Sequence, residues 1–491
     1  MALTVLVTGA TGYIGGRLVP RLLAEGHRVR AMTRDAARLR DVPWAGEVEV
    51  VQADALEAGS LTEAMAGVDV AYYLIPSTDA GGGGEHTDRR AAAAFAAAAR
   101  EAGVRRIVHL GALLPRGEEL SPHLASRHEV GRVLLDSGVP TAVLQAAVVI
   151  GSGSASFEVL RHLTERLPAM ITPRWVNTRV QPIAVRDVLR YLVGAATLPG
   201  QVSRRFDIGG PDVLTYVEMM QRYARVAGLR RRVIVPVPLL TPRLSGHWIN
   251  LVTPVPGALA GPLVRSLVDE VVCAERDLAE HLPDPPEGLL GFDDAVLLAL
   301  TRVRELAVET RWSSASWPGA PSDSLPTDPA WAGGSLYVDE RRRTVQARPE
   351  DLWTVLEGIG GDNGWYSFPL AWAVRGLLDR LVGGVGLRRG RRDPRHLYVG
   401  ESLDWWRVEE LEPGRLLRLR AEMKLPGLAW LELGVEEHEG RTVFSQRALF
   451  HPRGLAGHAY WRSVAPFHGI VFGGMTRNIT DKAERMTASR S

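Results

Sequence analysis

Residues 5–16 read Val5-Leu6-Val7-Thr8-Gly9-Ala10-Thr11-Gly12-Tyr13-Ile14-Gly15-Gly16. A short apolar strand is followed here by three regularly spaced glycines and then by an amphipathic helical pattern. Such glycines let the chain turn tightly, let backbone approach a pyrophosphate and let the helix pack close to the strand. The helix N-terminus offers N–H groups and a positive dipole end to phosphates. The stretch predicts a dinucleotide-binding unit, although a tight turn without a ligand is the alternative.

Length, composition and charge narrow the class of protein. A chain of 491 residues with 46% hydrophobic residues is long enough for two or more domains with buried cores. Its net charge of +2 gives no reason to expect nucleic acid as a partner. The single cysteine, Cys273, excludes an internal disulfide and fits a reducing cytosol. Because the first strand follows Met1 almost at once, no signal peptide is expected, and a cytoplasmic location is predicted.

Two further classes of site are not expected from the sequence. The apolar stretch Trp248–Leu263 is interrupted by prolines and glycines and is too short to span a bilayer. It predicts no integral membrane insertion, but leaves open a peripheral contact or a segment that covers substrate. The histidines His451, His458 and His468 lack metal-ligand spacing with any cysteine or carboxylate cluster, so no metal site is predicted.

The first half of the chain alternates apolar runs with helical patterns, among them the alanine-rich helix Arg89–Glu101. Strands are predicted at His27–Thr33, Val48–Gln52, Val70–Ile75, Ile107–Leu110 and Thr141–Ile150. This alternation is typical of a mostly parallel sheet that is covered by helices on both faces. We therefore predict an α/β doubly wound fold of the Rossmann type.

The second half has a different organisation. Residues Trp312–Gly334 are rich in proline, serine, glycine and aspartate, which indicates a linker. Helices are predicted beyond it at Pro349–Ile359 and Leu370–Leu381, before a largely helical end at Trp461–Arg485. The strands predicted between them are Trp405–Leu411, Leu416–Glu422, Ala429–Glu436 and Thr442–Phe450. The order is α+β, so we expect one domain at 1–310, a linker at 311–334 and a second domain at 335–491.

Several sequence runs allow a family resemblance to be stated for residues 1 to about 300. They are Thr8–Gly15 (TGATGYIG), His109–Ala112 (HLGA), Gln181–Val188 (QPIAVRDV) and Phe206–Pro211 (FDIGGP), the last followed by a capping box from Thr215. These runs resemble the atypical and extended short-chain dehydrogenase/reductases. The resemblance implies binding of NAD or NADP, but specifies no substrate.

The second domain carries a separate resemblance. Its runs are Gly364–Tyr366, Gly383–Arg392, Asp404–Val408 and Ala421–Gly427. They resemble an uncharacterised domain, often fused to such reductases, that we associate with the START/Bet v 1-like (SRPBCC) helix-grip fold. That fold implies a cavity for an apolar ligand. The arginines of Arg388–Arg392 would lie near its mouth, although a solvated loop is an equally good interpretation.

The choice between NAD and NADP depends on the end of the second strand. Arg34 stands where an arginine suits the 2′-phosphate of NADP, beside Thr33, while Asp35 leaves NAD open. In the family, Asp54-Ala55 matches the position at the adenine edge, and Ile75 follows strand four beside the cofactor. The predicted cofactor-binding residues are Gly9, Thr11, Gly12, Tyr13, Ile14, Gly15, Thr33, Arg34, Asp54, Ala55, Ile75 and Arg127.

The catalytic position departs from the family pattern. Active members carry Tyr-x-x-x-Lys, in which the tyrosine transfers a proton and the lysine lowers its pKa. The equivalent helix here carries His123 and Arg127, four residues apart and on one face. His123 could act as a general acid, whereas Arg127 could hold ribose or phosphate without moving a proton. The family's hydroxyl on strand five is replaced by Gly111 and Ala112.

These observations support an NAD(P)-dependent oxidoreductase that acts on a small or medium apolar substrate. The alternative is a sensor, scaffold or assembly protein that binds NADP(H) without turnover, because the Tyr/Lys pair is replaced. A third interpretation makes binding of an apolar ligand by the second domain the main function. The oligomeric state cannot be predicted from the sequence.

Overall fold

The computed structural model describes residues 2–40, 42–75, 84–115, 120, 122–237, 269–306, 335–360, 364–365, 396–423 and 425–490. At positions 84, 85, 122, 123, 175 and 302–306 only the backbone is described. The chain divides into two compact units, the first described as far as Leu306 and the second from Ser335. Each unit has its own hydrophobic core, so each is treated separately below.

The first unit is built on a seven-stranded parallel sheet with the strand order β11-β6-β5-β4-β1-β2-β3. Its strands are β1 (Thr4–Thr8), β2 (Arg28–Thr33), β3 (Glu49–Gln52), β4 (Val70–Tyr73), β5 (Arg106–Ala112), β6 (Thr141–Ala146) and β11 (Arg204–Ile208). The order reverses direction between β1 and β4, which opens a crevice at their carboxyl ends. The predicted Rossmann-type sheet is confirmed.

Helices cover both faces of this sheet. The helices that pack on it are α1 (Tyr13–Ala24), α2 (Ala58–Met65), α3 (Gly84–Glu101), α4 (Pro122–Leu135) and α6 (Val185–Ala195). A separate core cluster joins α5 (Ala155–Arg166), α7 (Tyr216–Val226) and α8 (Phe292–Leu306). Leu18 of α1 and Leu189 of α6 are buried in one core cluster, while Leu61, Phe95 and Val130 of α2, α3 and α4 are buried in another. The alanine-rich prediction falls within α3, where small side chains allow close packing.

Short strands form three further pairs outside the main sheet: β7 (Val149–Ile150) with β10 (Ile183–Ala184), β8 (Ala169–Pro173) with β13 (Val233–Val237), and β9 (Arg179–Val180) with β12 (Leu214–Thr215). The prediction of one strand over Thr141–Ile150 is therefore wrong. The chain leaves the main sheet after Ala146, and the N–H of Ile183 donates to the carbonyl oxygen of Val148 at 2.9 Å. Uniform apolarity over these residues concealed the break.

The second unit contains a six-stranded antiparallel sheet with the order β14-β19-β18-β17-β16-β15. Its strands are β14 (Tyr337–Val345), β15 (Ser402–Leu403), β16 (Trp406–Glu412), β17 (Leu416–Ala421), β18 (Gly427–His438) and β19 (Arg441–Pro452). In the described part of this unit, the sheet is accompanied by the helices α9 (Pro349–Glu357) and α10 (Gly454–Arg490). Leu431 and Leu433 of β18 share a core with Met475 and Ile479 of α10, so the helix covers one face of the sheet.

Two sequence expectations for this unit need correction. Strand β14, which pairs with β19, was not predicted, because charged residues on both of its faces conceal the alternation between buried and exposed positions. The strand predicted at Trp405–Leu411 begins one residue later, at Trp406. Trp405 instead lies in the turn before β16, after Asp404 with its left-handed φ of 55°, and both indoles are buried in the core.

Some sequence predictions lie outside the described residues. They are the linker 311–334, the helix Leu370–Leu381, the arginine run Arg388–Arg392 and the apolar stretch Trp248–Leu263. Among the helices that are described, none is long and apolar enough to cross a membrane.

Candidate functional site

The glycine turn between β1 and α1 is closed against its neighbours by backbone contacts. Gly9 adopts a left-handed φ of +67°, and a Cβ at this position would lie 2.5 Å from the carbonyl oxygen of Leu74. A Cβ at Gly15 would lie 2.3 Å from the carbonyl oxygen of Gly9. The N–H of Gly12 donates to that same oxygen at 2.8 Å. Glycine is therefore required at Gly9 and Gly15 by the fold of the turn itself.

The N-terminus of α1 is open on the other side of this turn. Gly12 is exposed, precedes the first helical residue, and is followed by no acidic residue in the first turn of the helix. Thr11 and Ile14 beside it are half-buried. Because no carboxylate neutralises the positive end of the helix dipole, this end of α1 suits an anion such as a pyrophosphate.

Tyr13 connects the turn to a second loop. Its hydroxyl lies 2.4 Å from the Cβ that any residue other than glycine would carry at Gly151. The Arg17 guanidinium lies 4.3 Å from the centre of the Tyr13 ring and donates to its carbonyl oxygen at 3.2 Å. The Gly151 loop is thus fixed beside the start of α1, which sequence reasoning did not find.

The adjacent edge at β4 is fixed by Thr8. Its hydroxyl donates to the carbonyl oxygen of Tyr72 at 2.8 Å and accepts from the N–H of Leu74 at 3.1 Å. Leu74 in turn contacts Gly9, as described above. Ile75, the next residue, is half-buried at the carboxyl end of β4. The structure therefore places Ile75 at the crevice where the strand order reverses.

At the end of β2, the side chain of Arg34 is open to a ligand, whereas the carboxylate of Asp35 is already hydrogen-bonded. Within the described ranges, exposed Arg34 has no side-chain hydrogen bond or ion pair. Asp35 is also exposed, but its carboxylate accepts from the N–H of Ala37 at 3.0 Å and caps a short 3₁₀ helix. Thr33 is buried, and its hydroxyl accepts from the N–H of Asp35 at 3.2 Å. The arginine is thus available to a ligand, while the aspartate is engaged locally.

The loop after β3 lies beside this strand end. The N–H of Ala53 donates to the carbonyl oxygen of Thr33 at 3.0 Å. The Asp54 carboxylate accepts from the N–H of Leu56 at 2.9 Å, which fixes the turn, and Ala55 is buried. The predicted residues Thr33, Asp54 and Ala55 are therefore brought to one edge.

The candidate catalytic helix is α4. It contains His123, whose side chain lies outside the described residues, and Arg127, which is half-buried. Ser126 is fixed from the neighbouring helix, because its hydroxyl donates to the buried Asp88 carboxylate at 3.1 Å. The helical spacing places His123 and Arg127 on one face of α4.

His109 of β5 lies in the same region but has a structural environment. Its Nδ1 lies 2.8 Å from the carbonyl oxygen of Tyr73, which can only accept, so Nδ1 carries the proton. Burial, with a smaller contribution from the charge of Arg127, lowers the pKa of His109 to about 4 against the raising effect of the hydrogen bond to Tyr73. The imidazole is therefore neutral at neutral pH.

The missing hydroxyl on strand five is not explained by lack of space. A Cβ at Gly111 would meet its nearest neighbour, Cγ1 of Val143, at 3.4 Å, which is an ordinary contact. At the next position, the carbonyl oxygen of Ala112 accepts from the side chain of Gln145 at 3.0 Å. The backbone at Gly111 therefore leaves room for the Cβ of a serine.

Buried polar side chains of α5 hold the Gly151 loop in place. The Glu158 carboxylate accepts from the N–H of Gly153 at 2.9 Å and from Arg161 at 3.0 Å, and neither side chain is more than 1% exposed. Tyr223 of α7 donates to Glu165 at 2.6 Å, and burial raises the pKa of that carboxyl. The three-residue spacing of Glu158 and Arg161 was the available sequence signal.

Metal and thiol chemistry find no support among the described residues. No group of three or more histidine, cysteine or acidic side chains in this part of the chain could hold a metal ion. Burial raises the pKa of the Cys273 thiol to about 12, so the side chain stays a neutral thiol.

Comparison with known protein families assigns each unit a match. The description of the first family is "NAD(P)H-binding", and it matches residues 9–147. The second is a protein family of unknown function, DUF2867, and it matches residues 331–475. The START-like resemblance of the second unit is not confirmed by this match.

Individual relatives agree with the first match. The (4-alkanoyl-5-oxo-2,5-dihydrofuran-3-yl)methyl phosphate reductase of Streptomyces griseus is 32% identical over 232 residues, which cover 46% of this chain and 74% of the relative. Ceramide reductase of Caulobacter vibrioides is 30% identical over 302 residues, which cover 60% of this chain and 93% of the relative. The structure of the triphenylmethane reductase of Citrobacter sp. has a TM-score of 0.50 at 22% identity, covering 61% of this chain and 99% of that chain, and shows the fold alone. Through its first unit, the chain belongs to the family of NAD(P)H-binding reductases.

Proposed function

We propose that the first unit is an NADPH-dependent oxidoreductase that reduces a carbonyl or related group of a small or medium apolar substrate. The observation that carries the proposal is the glycine turn, which is closed against Leu74 but open at Gly12. Two relatives of this unit are reductases, which supports the reaction class. Their substrates differ, so they do not identify the substrate of this chain.

The predicted site residues bind different parts of the cofactor or take part in proton transfer in this proposal. Gly12 and the N-terminus of α1 bind the pyrophosphate, and Arg34 with Thr33 binds the 2′-phosphate of NADP. Asp54 and Ala55 hold the adenine edge, and Ile75 lies beside the nicotinamide. When bound, the cofactor supplies a hydride. Arg127 holds ribose or phosphate, and His123 donates the proton that the substrate oxygen needs.

The cofactor preference can be tested by calorimetric titration with NADPH and NADH. Arg34→Ala should weaken NADPH about 10–100-fold, because a hydrogen bond to a charged group contributes about 1.5–3 kcal/mol. NADH affinity should change less than about twofold, since its ribose offers no phosphate. Arg38→Ala, another exposed arginine one turn further on, is the matched control. Equal loss of both cofactors would contradict the assignment.

The proton donor can be tested by following NADPH oxidation with a panel of carbonyls and quinones. His123→Phe should lower turnover at least 100-fold while NADPH affinity stays within about twofold, because general acid catalysis contributes about 10²–10⁴-fold. Unchanged turnover would remove His123 from the mechanism. If the wild-type protein binds NADPH but oxidises it with no substrate, a non-catalytic sensor, scaffold or assembly protein becomes the better proposal.

For the second unit we propose a helix-grip fold of the START-like type that binds an apolar ligand. A long helix, α10, lies on one face of the antiparallel sheet, and aromatic residues such as Trp365, Trp406 and Phe472 are buried between or beside them. Titration of the full chain with a hydrophobic fluorophore tests this, with Phe472→Ala expected to weaken binding. No binding by the wild-type protein would contradict it.

We further propose the domain limits 1–310 and 335–491 with a linker at 311–334, and a cytoplasmic location, where NADPH and a free thiol are both maintained. Limited proteolysis followed by mass determination tests the limits. Cleavage should fall between residues 311 and 334, because a segment rich in proline, serine and glycine exposes its backbone. A first cut within either unit would contradict them.

A further inference from the structure

The first two thirds of α10 carry large apolar side chains that face solvent. Leu455, Phe467 and Ile470 are 52%, 62% and 65% exposed. With 3.6 residues per turn, Leu455 and Phe467 lie about 60° to either side of Ile470 around the helix. Met475 and Ile479, which enter the core, lie on the opposite side. The three exposed residues therefore all lie on the outward side of the helix, with Leu455 about three turns before Phe467.

Basic residues outnumber acidic residues along this side of the helix. Arg462 and Arg477 are exposed on the same outward side of α10, and neither forms an ion pair within the described ranges. From Arg453 to Thr480 the sequence contains three arginines and no aspartate or glutamate. Asp481, one turn beyond Arg477 and exposed on the same side, pairs with Arg343 at 3.4 Å, whereas Arg462 and the apolar side chains before Asp481 have no acidic neighbour on the helix.

We propose that this stripe, defined by Leu455, Arg462, Phe467, Ile470 and Arg477 and called the α10 stripe below, docks the protein onto an anionic lipid surface. Apolar side chains enter the boundary between headgroups and acyl chains, and flanking arginines attract anionic headgroups. The outward side of α10 presents this combination of apolar side chains and arginines. Its long axis suits a helix that lies along the surface.

A second copy of the chain fits the α10 stripe less well. A two-fold contact between the stripes of two copies would bring four arginines, Arg462 and Arg477 of each copy, into one interface. Like charges brought together in a desolvated contact are unfavourable. The charge pattern therefore favours an anionic partner over self-association.

The test is sedimentation of the full chain with vesicles of phosphatidylcholine alone or with one quarter phosphatidylglycerol. We expect binding only to the anionic vesicles, weakening as salt is raised. The double variant Phe467→Ser, Ile470→Ser should lower the partition coefficient at least tenfold. Ile171→Ser is the matched control, because Ile171 of β8 is also 65% exposed but lies in the first unit.

The charge contribution is tested separately by the double variant Arg462→Gln, Arg477→Gln, which should lower binding at least fivefold. Its control is Arg230→Gln, Arg231→Gln, which removes two exposed arginines from a loop of the first unit. Circular dichroism checks that each variant is folded. Equal binding to both vesicle types, or no loss in either α10 variant, would overturn the proposal. Self-association in sedimentation velocity that the Phe467→Ser, Ile470→Ser variant abolishes would assign the stripe to a second copy and also overturn it.

Discussion

The nucleotide turn between β1 and α1 and the candidate catalytic edge at the end of β5 belong to the same sheet, yet their glycines are present for different reasons. At the turn, Gly9 and Gly15 leave no room for a Cβ, because backbone atoms lie 2.5 Å and 2.3 Å from its position. At the end of β5, a Cβ on Gly111 would make only ordinary contacts, the nearest at 3.4 Å. The first pair is required by folding, whereas Gly111 is not.

This difference separates what the fold requires from what the reaction requires. The turn must keep its glycines to form at all, so its sequence is a dependable sign of the structure. The catalytic edge can change without loss of the fold, so its residues carry information about chemistry. A packing constraint therefore does not explain why Gly111 stands where the family resemblance implies a hydroxyl.

The largest effect is expected from Gly15→Ala. The new Cβ would lie 2.3 Å from the carbonyl oxygen of Gly9, and the backbone of the turn has to move to accommodate it. We expect the first unit to lose about 3 kcal/mol of unfolding free energy and NADPH binding to become undetectable. Urea unfolding and calorimetry measure both.

Gly59→Ala is the control for this change, because Gly59 lies within α2 and nothing is within 4 Å of the added Cβ. It should be neutral or stabilising by up to about 1 kcal/mol. If Gly15→Ala behaved like Gly59→Ala, the contrast between the two regions would be lost.

The sequence predicted six of the seven strands of the first sheet, because most of them are short apolar runs between turn residues, and it missed β11, which begins with Arg204 and Arg205. It failed where that signal disappears. Beyond Ala146 the residues stay apolar, so the departure of the chain toward β10 leaves no mark. In β14, both faces carry charged residues, because Arg342 and Glu436 pair across the sheet surface while Asp339 and Arg341 face α10. A period-two pattern of hydrophobicity cannot reveal such a strand.

At the site, the sequence identified residues that belong to a motif and missed those that act through tertiary contacts. Gly12 and Arg34 occupy fixed positions relative to predicted strand ends, so they could be named. The contact between Tyr13 and Gly151, and the bond from Gly153 to Glu158, join segments that only the fold brings together. Asp35 was left open as an NAD ligand because its role as a helix cap depends on backbone geometry.

The second prediction concerns the pH dependence of stability at the catalytic edge. Burial holds the pKa of His109 at about 4, below its usual value of 6.5, so the folded state keeps this imidazole neutral where the unfolded chain binds a proton. The contribution of the neutral imidazole to the unfolding free energy is present above about pH 6.5 and is lost as the pH falls toward 4, by on the order of 2–3 kcal/mol.

His109→Phe should remove this part of the pH dependence. The measurement is the difference in unfolding free energy between wild type and variant at several pH values from 4 to 7, and a flat difference would contradict the assignment.

The smallest effect on stability, and the sharpest comparison, is expected from Gly111→Ser. Because the added Cβ meets Val143 at an ordinary 3.4 Å, the unfolding free energy should change by less than about 1 kcal/mol and NADPH affinity by less than twofold.

The hydroxyl of Gly111→Ser would restore one of the three groups that the family resemblance implies for active members. Combining it with His123→Tyr and Arg127→Lys would introduce all three groups that the family resemblance implies. If the native protein lacks turnover because these groups are absent, the triple variant should oxidise NADPH with a carbonyl that the wild type does not reduce. If the native protein is active through His123, the triple variant should instead show a shifted pH profile, because a tyrosine and a histidine titrate in different ranges. A Gly111→Ser variant that unfolds, or loses NADPH, would show that packing constrains the catalytic edge as tightly as the nucleotide turn.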